Sequence, residues 1–146
     1  MFKRGMDNKG QLSVEYLLLL VVIFVVFGAM ITYLVGPSID SANDISDVSG
    51  ASNAVNTIAN AANIVYANGP NSKRTIQIYI PQDMIITTSY NGVSANITLS
   101  NGTIKTVSAK TSYPLQANTF NVSKGNKKAL VRWYTGDPYL ANYIGS

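Results

Sequence analysis

The chain contains neither cysteine nor histidine. The first absence excludes disulfides, thiolate nucleophiles and thiolate metal sites. The second removes the commonest general base and the commonest metal ligand. An enzyme made from these residues would have to work with carboxylates, lysine, tyrosine or serine alone. No phosphate loop, metal-ligand spacing or catalytic triad stands in the sequence. The expectation is a chain that is not an enzyme and takes no cofactor and no metal. Charge is scarce too, with 12% charged residues against 47% hydrophobic. The formal net charge is +4, and Lys3, Arg4 and Lys9 lie in the first ten residues against one acid, Asp7. Without those ten, Lys+Arg falls from 11 to 8 and Asp+Glu from 7 to 6, leaving +2. The basic balance is partly a property of the N-terminus and predicts no nucleic-acid partner.

What the chain has is a long apolar block. From Leu17 to Val35 the only polar side chains are Thr32 and the hydroxyl of Tyr33. As a helix, residues 12–35 would run about 36 Å, enough for a bilayer core of about 30 Å. Basic residues precede the block, so the N-terminus is expected inside and residues beyond about 36 outside. Gly36-Pro37 interrupts the run and predicts a kink or a local break. Helical spacing then resumes through Ile39, Ala42, Ile45, Val48, Ala51, Val55, Ile58, Ala62 and Val65. Asp40, Asn43, Asp44, Asp47, Asn53, Asn56, Asn60 and Asn63 lie off that stripe. Asn68-Gly69-Pro70 is a stop signal, so the whole helix is expected over about residues 12–67.

Beyond Pro70 the period becomes two. Arg74–Ile80 alternates, and Pro81-Gln82-Asp83 is a turn. Met84–Tyr90, Val93–Ser100 and Thr103–Ala109 read as strands joined by two-residue Asn91-Gly92 and Asn101-Gly102 loops. Thr119–Lys124 and Lys127–Tyr134 flank Gly125-Asn126, a third hairpin candidate. The expected fold class is α+β: a long N-terminal helix, partly transmembrane, packed on an antiparallel sheet of five or six strands over residues 74–134. A sheet of that size is marginal until a helix covers it.

Three readings of the apolar block compete. A secretory signal is cut after its apolar region at a small-x-small site, and Ile31–Pro37 offers a poor one. A signal anchor is not cut at all. The third reading uses the residues in front of the block. Lys9-Gly10-Gln11-Leu12-Ser13-Val14-Glu15-Tyr16 resembles the class III signal peptide of archaeal type IV pilins, nearest to the methanogen-type pilins with a Q-x-S-x-E-Y mature start. The resemblance is specific over those eight residues and general over residues 1–67. It implies a membrane-embedded prepilin-type peptidase that cuts between Gly10 and Gln11, after Lys9, and leaves the apolar helix in place. It implies identical or related pilin subunits as partners, the membrane as the location before assembly, and a surface pilus for attachment afterwards. Ser13, Glu15 and Tyr16 then belong to the assembly segment, with Glu15 fifth in the mature chain and paired with an N-terminal amine. An N-terminal Gln can cyclise, which would remove that amine. The bland reading of Glu15 is an interfacial acid favoured by the positive end of the helix dipole. At the bilayer centre it would cost about 2.5–3.5 kcal/mol.

The implied organisation is a cleaved leader at 1–10, a polymerisation helix at 11–36, an amphipathic helix at 37–68 and a sheet domain at 69–146. Three sequons, at Asn96, Asn101 and Asn121, make candidate N-glycosylation sites in the outside half. Lys124-Gly125-Asn126-Lys127-Lys128 reads as a solvated hairpin tip. Trp133, Tyr134, Tyr139 and Tyr143 lie close in sequence and read as core or subunit contacts. The alternative to a filament subunit is a membrane-anchored surface protein that binds a partner through its sheet and does not polymerise.

Overall fold

The computed structural model describes residues 3–145, and the side chains from residue 10 onward. It divides into two units, Met1–Ser41 and Ala42–Ser146. One helix, α1 (Lys3–Asn68), contributes to both.

In the first unit the helix begins well before the expected residue 12. It includes Pro37 without an interruption, so the local break expected at Gly36-Pro37 does not occur. Proline removes one backbone donor, which leaves the carbonyl four residues earlier without its usual partner. Hydroxyls around it bond back to carbonyls. Ser38 donates to Leu34 at 2.9 Å, and Ser41 donates to Pro37 at 2.9 Å. The Thr32 hydroxyl lies 2.9 Å from the Gly28 carbonyl and 3.0 Å from that of Ala29. These extra bonds stay within the helix and use polar side chains that an apolar surrounding would otherwise strand.

In the second unit the same helix is covered by sheet on one side. Ala51, Ala54, Val55, Ile58, Ala59, Ala61, Ala62 and Val65 are buried, and Val48 packs against them. The expected stripe is correct from Val48 onward and fails before it: Ile39 and Ile45 are 53% and 71% exposed. The cause is geometric. Ile39, Ala42, Ile45, Val48 and Ala51 recur strictly every three residues. At about 100° per residue, Ile45 points about 120° away from Ala51.

Seven strands follow: β1 (Lys73–Ile80), β2 (Met84–Ser89), β3 (Gly92–Thr98), β4 (Ile104–Lys110), β5 (Asn118–Val122), β6 (Gly125–Arg132) and β7 (Ala141–Gly145). They form two antiparallel sheets where one was expected. The orders are β1-β6-β7 and β4-β3-β2-β5. Pro81 is the divider. It is buried against Gly50, whose added Cβ would lie 3.2 Å from the proline ring, so the chain is pressed onto the helix between β1 and β2. The partners separate accordingly, with β6 on β1 and β5 on β2. Gly125-Asn126 is therefore not a hairpin loop. Asp83 accepts the Lys124 N–H at 2.8 Å, which ties the two crossings together.

The two other Asn-Gly pairs do make hairpins, with shifted loops. Ser89 pairs with Gly92, so the first loop is Tyr90-Asn91. Gly92 has φ +146° and already belongs to β3, where a Cβ would come 2.1 Å from the Ala109 carbonyl oxygen. The second loop has three residues, Ser100–Gly102. Leu99 and Thr103 close it at 2.8 Å, the Gly102 N–H bonds to Leu99, and Gly102 takes φ +81°. That is a type I turn with a glycine bulge.

One core joins the helix to both sheets, through Ile78, Ile80 and Val131 on one side and Ile86, Val93 and Ile97 on the other. Leu115 and Leu140, both buried, form an isolated parallel bridge outside the strands. At the helix end, the Ser72 hydroxyl lies 2.7 Å from the Val65 carbonyl and 2.6 Å from that of Gly69. It thus serves an acceptor of the last turn that lacks a helical partner.

Candidate assembly and processing segment

Gly10, Gln11, Ser13, Glu15 and Tyr16 all lie on α1 and are exposed. The Lys9 backbone is in the helix, and its side chain lies outside the described ones. The Gly10–Gln11 bond is thus helical. Gly10 is the weak point of that turn, since glycine costs about 1 kcal/mol relative to alanine within a helix. A Cβ at Gly10 would meet nothing within 4 Å.

Past Gln11 the chain carries no base until Lys73. Glu15 therefore has no cation one turn away in either direction. Its neighbours on the same ridge are Val14, Leu18, Leu19 and Val22. A carboxylate on such a surface needs a cation from elsewhere, or water, to satisfy it. Large apolar side chains cover the rest of the segment on every side. Leu17, Phe24, Val25, Met30 and Leu34 are each more than half exposed. The helix is long and apolar enough to cross a membrane, and the window that shows this is 0% buried within the chain.

The sequons sit on the four-stranded sheet. Asn101 is exposed at the β3–β4 hairpin, where its side-chain oxygen accepts the Thr103 N–H at 2.9 Å. Asn96 and Asn121 are exposed on β3 and β5, and the register places each of them opposite Ile85 of β2. The Asn96 side-chain oxygen accepts the Thr106 hydroxyl at 2.8 Å. Ile85 and Ile104 are exposed on this sheet at 43% and 66%. Two sequon asparagines thus flank one exposed isoleucine, a neighbourhood that only the strand register reveals.

The aromatic residues near the C-terminus part company in space. Trp133 joins Tyr113 and Tyr66 at ring-centroid distances of 5.0 and 5.7 Å, at the end of α1. Tyr139 meets Tyr90 edge-on at 6.3 Å, and Tyr134 lies beneath Arg132. Among the described residues, no group of three or more acids is placed to hold a metal ion. No family model, curated protein or solved structure matches the chain.

Proposed function

We propose that this chain is the precursor of a filament subunit of the archaeal type IV pilin kind, cut between Gly10 and Gln11 and assembled through its apolar helix. The observation that carries the reading is the unpartnered apolar surface of residues 11–36. A helix that is apolar all round must be covered on all sides. Lipid covers it before assembly, and the same segments of other copies cover it afterwards. Gly28, Ala29 and Gly36 are small enough to let such helices approach closely. Glu15, with no base near it in its own helix, receives the N-terminal amine of its own or a neighbouring copy. The sheets remain outside as the surface of the filament, where attachment takes place and where the three sequons are exposed to modification.

The alternative, an anchored binding protein that does not polymerise, uses the same helix without a cut. Mass analysis of the N-terminus of protein recovered from sheared cell-surface filaments separates them. The mature chain should begin at Gln11, free or cyclised. An intact Met1 in cells that hold the peptidase, or no filaments from cells making the chain, overturns the pilin reading.

A further inference from the structure

The outward face of the four-stranded sheet carries almost no charge. Strands β2, β3 and β5 contain neither acid nor base. Strand β4 adds two lysines: Lys105 alternates away from this face, and Lys110 stands at its far end, opposite Gly92. The other sheet carries Lys73, Arg74, Lys127, Lys128 and Arg132 on β1 and β6. Soluble surfaces are commonly about 25–35% charged, so a face this neutral is unusual. In place of charge it has hydroxyls and amides, with Ile85 and Ile104 exposed among them. An open depression of about 500 Å³ lies over it, and Ile85, Ile104, Asn96, Thr98, Asn121 and Ser123 are among its lining residues.

Thr98 and Ser123 are the hydroxyl residues of the sequons that begin at Asn96 and Asn121. In a strand, residues two apart share a face. The middle residues Ile97 and Val122 are buried, so each sequon turns its amide and its hydroxyl outward. The register sets Asn96 and Asn121 on opposite sides of Ile85, about 10 Å apart at the usual strand spacing. Two glycans rooted that close would compete for one depression. The two amides differ. Asn96 lies on β3, between β2 and β4, and the Thr106 hydroxyl engages its side-chain oxygen. Its amide nitrogen is not used in that bond. Asn121 lies on β5, the outer strand, with one neighbour in its sheet. Asn101 spends its side-chain oxygen on holding the β3–β4 turn.

We infer that Asn121 carries an N-linked glycan that lies back across the four-stranded sheet, covers Ile85 and Ile104, and is held there by the Asn96 amide nitrogen and the neighbouring hydroxyls. The inference rests on one part of the proposed function, the placement of the sheets outside the membrane, and not on polymerisation. The donor is an activated sugar, a phosphoester of its anomeric carbon. The Asn121 amide nitrogen bonds to that carbon as the carbon–oxygen bond to phosphate breaks. The electron pair leaves with the phosphate, and the amide gives one proton to a base of the transferase. The sugar is then tethered at the rim of the depression, which makes filling it an intramolecular event. Sugar hydroxyls pair with neutral amides and hydroxyls without a counter-charge. Sugar C–H surfaces cover the isoleucines and remove them from water. The sequon selects this occupant, since the face offers a free partner no aromatic side chain and no arginine as an anchor.

The test uses the full chain, made in cells whose other surface proteins carry N-linked sugars. Trypsin leaves Asn121 as the sequon of peptide 111–124 and puts Asn96 and Asn101 in peptide 75–105. Mass spectrometry should find sugar on peptide 111–124, and fragmentation should find Asn96 bare. Asn121→Gln and Ser123→Ala should each remove that sugar while Trp133 fluorescence reports an unchanged fold. Ile85→Ser should shift the urea midpoint of the glycosylated chain about twice as far as it shifts that of the Asn121→Gln variant. An unmodified peptide 111–124, or sugar on Asn96, overturns the assignment. Equal midpoint shifts mean that the glycan stands away from the sheet, and they overturn the cover. Loss of filaments in Ile85→Ser with peptide 111–124 unmodified gives the face to a second copy instead. Filaments that begin at Gln11 and carry no sugar sink this inference alone. A glycosylated chain that keeps Met1 and forms no filaments sinks the filament reading alone.

Discussion

Replacing Gly92 by alanine tests the hairpin register, which is where expectation and structure differ most finely. If Asn91-Gly92 were the two-residue loop, Gly92 would be a left-handed turn residue open to solvent. Alanine there would cost about 1–2 kcal/mol. The structure puts Gly92 inside β3, opposite Lys110, with φ +146° and with an added Cβ 2.1 Å from the Ala109 oxygen and 3.0 Å from the Lys110 Cα. Two costs then combine. The backbone region is nearly exclusive to glycine, worth about 1–3 kcal/mol. The clash is with main chain, which cannot rotate away, so the end of the β3–β4 ladder must open at about 1–3 kcal/mol more. A total of about 2–6 kcal/mol follows, a large part of the stability of a small domain. The assay is urea unfolding of the full chain in mild detergent, followed by the fluorescence of Trp133, the single tryptophan. Gly92→Ala should move the midpoint sharply at constant slope. A loss below about 2 kcal/mol would refute the strand placement and return Gly92 to the loop.

Two further outcomes follow from the burial of neighbouring residues. Ile58→Ala should cost about 2–5 kcal/mol in the same melt, because Ile58 is 1% exposed in the core. Ile45→Ala should stay within about 0.5 kcal/mol, because Ile45 is 71% exposed although it continues the same apolar spacing. Thr88, 1% exposed, donates to the Gln116 carbonyl at 2.8 Å and accepts from the Asn142 side-chain nitrogen at 2.8 Å. Thr88→Val keeps the shape and removes both bonds, and should cost about 1–3 kcal/mol. Thr88→Ser should recover most of that loss, and equal losses for the two would count against the hydrogen bonds.

The helix and most of the strands are legible in the sequence because they depend on local signals. Apolar spacing marks Ala51 to Val65, and period two marks β1 to β4. The rest depends on partners distant in sequence. The division into two sheets follows from Pro81 packing on Gly50, 31 positions away in sequence. Strand β7 has no sequence signature, because Ala141–Gly145 is short and does not alternate, and it exists through its pairing with β6. The segment Thr111–Leu140 also hides a polar contact: Asn63 of the helix accepts the Ser112 N–H at 2.8 Å. Asn63 reads in sequence as one more solvent-facing amide. The helical backbone at Ser13, Glu15 and Tyr16 is legible too, whereas that of residues 3–11 is not, since this polar stretch carries no apolar period.

The two parts of α1 draw on different residues, and the difference bears on function. Where sheets cover the helix on one side, the buried face is mainly alanine: Ala51, Ala54, Ala59, Ala61 and Ala62. Small side chains let strands lie close over a helix, and the large residues come from the sheets. Over residues 17–35 the order is reversed. Leucine, valine, isoleucine and phenylalanine project on all sides, including the β-branched run Val21-Val22-Ile23 and Val25-Val26. Such residues lose rotamer freedom in a helix and are not chosen for helix propensity in water. They suit a helix whose partners are lipid tails or other large apolar side chains, where the backbone must satisfy its own hydrogen bonds. A single acid, Glu15, lies just before that surface. A plain anchor gains nothing from a charge placed there, whereas a subunit that must align with its neighbour gains a point of register. Glu15→Ala should therefore leave membrane insertion intact and reduce the yield of filaments. The opposite result, poor insertion with normal assembly of what inserts, would leave Glu15 without a part in assembly.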